Sequence, residues 1–182
     1  MNTFALFGVS ILGSFVSSVI AAWLFAWPRL KNTEPNRALT ALVAPHMFLR
    51  FIGLSFLVPG VVSPLLPAGF AIPAAYGDLI AGLLAIVATI ALVNRKSWAT
   101  RSVWLFNIWG AADLLFAFYQ ARQVGIQPGM FGAAFFLVTA FVPPLLVTHG
   151  MIFRLLTQRP VAATDDRNPR PERLTVQGQP VR

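Results

Sequence analysis

Five long apolar runs separated by short polar loops set the plan of the chain, at about 3–27, 38–58, 74–93, 102–119 and 130–156. Each reaches the roughly 20 residues a helix needs to cross the hydrocarbon of a bilayer. In lipid a helix is favoured because it satisfies its backbone polar groups within the segment. The pattern predicts an all-α polytopic membrane protein, a five-transmembrane-helix bundle spanning 1–156, with 157–182 as a disordered basic cytoplasmic tail.

Smaller signals punctuate the runs. In the first, Ser10, Ser14 and Ser18 recur every four residues as one small-residue stripe suited to close helix contact. Trp23 and Trp27 fit an interfacial belt before Pro28, which is expected to end that helix. The first run lacks a preceding Lys or Arg and is longer than a signal h-region, so it reads as a retained span. The stretch 59–73 has four prolines and no charge, and reads either as a cap in the interface or as an irregular connection packed on the helices. Gln127-Pro128-Gly129 marks a turn, and Pro143-Pro144 should kink the fifth helix. Past Thr157 the chain is rich in Arg, Pro and Asp and has little to bury.

Composition supports the membrane reading: hydrophobic residues make up 57% and charged ones 11%, against about 25% charged in soluble domains. The net charge of +8 does not point to nucleic acid, because the basic residues sit in short loops between apolar runs. Loops 29–37 and 94–101 and the segment from Arg154 onward hold twelve of the 14 Lys and Arg. Of the other two, Arg122 falls on the opposite side and Arg50 within the membrane. The positive-inside rule then places the N-terminus out and the C-terminus in. The Ala-, Arg- and Pro-rich composition fits a bacterial cytoplasmic (inner) membrane. The chain has no cysteine, so it forms no disulfide and no thiolate site.

Chemistry concentrates where charge interrupts the apolar runs. Arg50 is the one cation expected within the bilayer, and Asp78 and Asp113 are the two acids. Such groups are costly in hydrocarbon, face the bundle interior and mark functional sites. At 1.5 Å per residue, Arg50 and Asp113 both stand about 15 Å above the inner boundary, and Asp78 about 9 Å below the outer one. A guanidinium could bridge the remaining gap to either acid. His46, Arg50 and Gly53 share a stripe on the second run, and Asp78, Gly82 and Ala85 one on the third. Gly110 and Ala117 flank Asp113, with Asn107 about 120° around the same helix. Two carboxylates sharing one arginine resist ionising together, as a proton-handling site requires. The competing reading is a structural clamp with no ligand.

His46 and His149 are the only histidines, at similar depths of about 9 and 7 Å, which admits a bis-histidine haem as an alternative. No dedicated metal site is indicated. Most aromatic residues of the fourth run read as packing or lipid-facing bulk. The sharper expectation sets Trp109, one turn before Asp113, against a flat ligand such as a quinone ring. No HExxH, phosphate loop, nucleophile elbow or dinucleotide fingerprint is present. Enzyme chemistry is therefore not indicated, apart from a cofactor-free proton transfer.

The run Arg50-Phe-Ile-Gly-Leu-Ser-Phe-Leu-Val-Pro-Gly, followed by Tyr76-Gly-Asp-Leu-Ile-Ala-Gly-Leu-Leu-Ala, resembles the DoxX-like family of small bacterial membrane proteins. Arg50, Gly53, Phe56 and Gly60 match the first helix of that pattern, and Asp78, Gly82 and Leu83 the second, with Asp in place of Glu. The resemblance implies a four-helix core with one added helix, and an association with membrane redox or quinone-linked systems. The leading expectation is an intramembrane polar pocket that binds a small, quinone-like ligand and handles a proton. Arg50 supplies fixed charge, Asp78 and Asp113 titrate, and His46, Asn107 and Trp109 complete the walls. Two further readings come from other classes. One is a non-catalytic subunit meeting a membrane-protein partner or another copy of itself; the other is a small proton-coupled transporter moving at the Pro143-Pro144 kink.

Overall fold

The computed structural model describes residues 2–158. Five helices are long and apolar enough to cross a membrane: α1 (Thr3–Leu30), α2 (Pro35–Leu57), α3 (Ala68–Val93), α4 (Ala99–Gln123) and α5 (Leu137–Gln158). Among the described residues no strand forms beyond an isolated bridge between Pro59 and Val62. Thr157 and Gln158, expected in the tail, extend α5 instead. The remainder of the expected disordered tail, 159–182, lies outside the described residues.

Proline is absorbed more often than expected. Pro28 does not end α1. The turn Ala22–Ala26 widens, and the Trp27 N–H reaches back five residues to the Ala22 carbonyl. Helix α5 repeats the device at Leu137–Phe141, where the Val142 N–H reaches the Leu137 carbonyl just before Pro143. In both places the wide turn precedes a ring that cannot donate and would crowd the carbonyl four residues back. Helix α3 starts six residues earlier than expected and carries Pro73 inside it. The Gly69 carbonyl that Pro73 cannot serve accepts from Gln120 Nε2 of α4 at 2.9 Å.

The connection 58–67 caps one end of the bundle. There the Val61 carbonyl accepts from Ala133 N at 2.8 Å, and Ser63 N donates to the Met130 carbonyl at 3.0 Å. The partner is a 3₁₀ segment, Pro128–Ala134, that occupies the expected start of the fifth helix. Gly132 allows the close approach, with a φ of 53° where a Cβ would strike the Val61 carbonyl.

Helices α3 and α4 pack closely, and the second half of α2, a 3₁₀ stretch at Arg50–Leu57, lies along α3. Small residues permit this, since Ala74, Ala81, Ala85 and Ala88 form the buried face of α3. Helix α1 is peripheral. It fully buries nothing before Leu30, and its partly buried positions include the stripe Phe7, Ser10, Ser14 and Ser18. It packs along α5, with the Arg154 guanidinium 3.9 Å from the centre of the Trp27 ring.

The core has two apolar halves. Leu39, Val43, Ala88, Val103, Phe106 and Ile152 fill the half nearest loop 94–98. Phe56, Phe70, Phe131 and Val138 fill the half beneath the cap. A polar layer lies between them.

Candidate functional site

Arg50 is fully buried at the centre of that layer. Its Nη1 donates to Asp78 Oδ1 at 2.6 Å and to Asp113 Oδ2 at 3.1 Å. Its Nη2 donates to the Gly110 carbonyl at 2.6 Å and meets His149 Nε2 at 2.8 Å. Nε has no partner among the described residues. One cation thus ties together α2, α3, α4 and α5.

Three glycines make the approach possible, each beneath a charged group from another helix. A Cβ on Gly53 of α2 would overlap the Asp78 carboxyl, and one on Gly77 of α3 the Asp113 carboxyl. At Gly110 of α4 it would lie 2.6 Å from the His149 ring and 2.8 Å from Arg50 Nη2. The expectation that small residues flank the charges therefore holds across helices. Gly77, which the sequence reading passed over, belongs to the set.

Hydrogen bonding fixes the state of His149. Arginine is a donor only, so Nε2 accepts, and the ring proton sits on Nδ1, donated to Asn107 Oδ1 at 2.7 Å. Asn107 Nδ2 donates in turn to the His149 carbonyl at 3.2 Å. His46 lies behind, its Nε2 2.9 Å from the Thr148 hydroxyl and its ring centre 4.6 Å from that of His149. Phe106 closes against both rings. The pair does not fit a bis-histidine haem: the rings touch with no room for a porphyrin between them, and both nitrogens of His149 are engaged. Among the described residues no cluster of three or more His, Asp or Glu suits a metal.

The two carboxylates are the polar floor of a cavity of about 250 Å³ under the cap. Six phenylalanines line it, Phe4 and Phe7 from α1, Phe56 from α2, Phe70 from α3, Phe118 from α4 and Phe131 from the 3₁₀ segment, with Arg122 at its edge. The side chains of Asp78 and Asp113 stay 12% and 11% exposed, whereas that of Arg50 is at 0%. The cavity therefore meets the acids and not their cation.

The structure gathers His46, Arg50, Asp78, Asn107 and Asp113 into one layer and adds His149 to it. Trp109 stands apart. It is 42% exposed, outside the cavity lining, and its Nε1 donates to the Gly77 carbonyl at 3.2 Å. It braces α4 against α3 one residue before Asp78. The phenylalanine walls were missed because they come from five separate stretches of chain.

Residues 6–157 match the family described as Domain of unknown function (DUF8737). The chain belongs to that family. The match takes in all five helices and the whole polar layer, so the site lies inside the family domain. No curated protein and no solved structure matches the chain.

Proposed function

We propose that this is a multi-pass protein of the bacterial inner membrane whose Arg50–Asp78–Asp113 cluster binds a small, quinone-like ligand and handles a proton. The orientation is N-terminus out and C-terminus in, because the segments 29–37 and 95–101 and Arg154 carry seven of the nine Lys and Arg of the described residues. The cavity then lies in the outer half of the bundle, beneath the cap.

One observation carries the reading: two carboxylates under a single guanidinium form the floor of a chamber whose other lining residues, Arg122 at the edge aside, are apolar. A structural clamp has no need of a chamber over its acids. An apolar cavity of about 150 Å³ suffices to hold benzene, so about 250 Å³ accommodates a substituted ring. Asp78 and Asp113 together carry one more charge than Arg50 balances, and a shared proton removes the excess. The resemblance to the DoxX-like family at Arg50, Gly53, Asp78 and Gly82 points the same way.

The packing below the cluster argues against passage across the membrane. Below the cluster Arg50 cannot give up a proton, His149 is locked between Arg50 and Asn107, and close-packed alanine, leucine and phenylalanine follow. The arrangement favours exchange with one face only.

The test uses protein in lipid nanodiscs, weakly buffered, titrated with 2-methyl-1,4-naphthoquinone and separately with its quinol. Saturable binding of at least one of them above empty nanodiscs is expected, with a change in bound protons that Asp113→Asn abolishes. Absence of saturable binding by either, in folded protein, would reduce the cluster to a clamp.

A further inference from the structure

The floor of the cavity presents hydrogen-bond acceptors to a ligand and conceals the donors of Arg50, the one guanidinium of the lining, Arg122, standing apart from that floor on the last turn of α4. Both Arg50 Nη atoms are spent on Asp78, Asp113, Gly110 and His149, and the guanidinium is wholly buried. Asp78 Oδ2 and Asp113 Oδ1 accept no hydrogen bond from any described residue, and both carboxylates reach the cavity surface. The walls above them are phenylalanine faces, which attract positive hydrogen edges and cations.

Access also has a direction. Helix α1 packs along α5 and makes little or no contact with α4. Phe4 of α1 and Phe118 of α4 both line the cavity and are 54% and 37% exposed. Each therefore belongs both to the cavity lining and to the side of the bundle. A molecule dissolved in the bilayer could slide between them without crossing water.

We infer that the occupant is a bilayer-dissolved ring whose polar head donates a hydrogen bond, through a hydroxyl or an amine, to Asp78 and Asp113. This rests on the binding reading above and deepens it: among quinone-like ligands, it selects the hydroxyl-bearing form over the carbonyl form. Once the shared proton has left, the excess negative charge at the cluster acts in the same sense, since a donor stabilises a carboxylate where a carbonyl oxygen would be repelled.

The experiment compares matched probes in nanodiscs by calorimetry, with empty nanodiscs subtracted. The probes are 4-pentylphenol, its methyl ether 4-pentylanisole, and 4-pentylbenzylamine. Phenol and ether share ring and tail and differ in the donor. The phenol is expected to bind about tenfold to a hundredfold tighter than the ether, the range for a hydrogen bond to a charged group. The amine divides the two sources of donor: if it outbinds the phenol the natural head is cationic, and if it trails the head is a hydroxyl. In Asp113→Asn, whose amide offers a donor of its own, the preference for phenol over ether should shrink or reverse. Equal binding of phenol and ether to the wild-type protein would overturn the inference while leaving the binding reading standing. Failure of all three probes, together with the naphthoquinone pair, would remove both.

Discussion

Removing the Arg50 guanidinium would strand two carboxylates, a histidine nitrogen and a carbonyl at the centre of the bundle. Breaking a buried ion pair from one side costs about 3–5 kcal/mol, and Arg50→Ala should lose at least that in denaturant unfolding from mixed micelles. Asp113→Asn should be milder, because the amide oxygen can still accept from Nη1. The double variant Arg50→Ala with Asp113→Asn should recover part of the loss, since one stranded charge is gone; strictly additive losses would argue against the contact. At this scale much was legible from sequence. Arg50 was the lone cation inside an apolar run away from its ends, and Asp78 and Asp113 were the only acids inside such runs. The role of His149 was harder to see. Its depth matched that of His46, but depth carries no information on which ring faces the arginine, and Arg50 took the ring with the free lone pair.

Among the elements, the three glycines decide how closely α2, α3 and α4 approach. Gly77→Ala would drive a methyl group into the Asp113 carboxyl. Overpacking of this kind costs about 1–3 kcal/mol. The variant should unfold at lower denaturant while keeping its helical circular dichroism. Gly69→Ala, on the same helix with open space at its Cβ, is the control and should cost less than Gly77→Ala. Helix existence was easy to read, because 20-residue apolar runs allow few other states in lipid. Helix limits were not. Pro28 read as a helix end and Pro73 as part of a connection, yet a widened turn carries α1 past the first, as another precedes Pro143, and a glutamine from α4 serves the carbonyl left by Pro73. Such repairs depend on neighbours that a local reading does not contain.

The whole molecule is a polar layer held between two apolar halves, one closed and the other hollow. The closed half comes from small residues repeating along α3, a pattern visible in the sequence. The hollow half could not be foreseen, because its walls come from all five helices and the segment at the Gln127-Pro128-Gly129 turn. The account stands on that hollow being a binding site. Ala117, one turn beyond Asp113 on α4, lines it and takes no part in the hydrogen bonds of the ion cluster. Equilibrium binding of 4-pentylphenol to nanodisc-embedded Ala117→Trp is therefore the most direct measurement. With the chamber filled by an indole and the Arg50 cluster undisturbed, saturable binding should fall at least about tenfold with little change in unfolding midpoint. Binding equal to that of the wild-type protein would contradict the account.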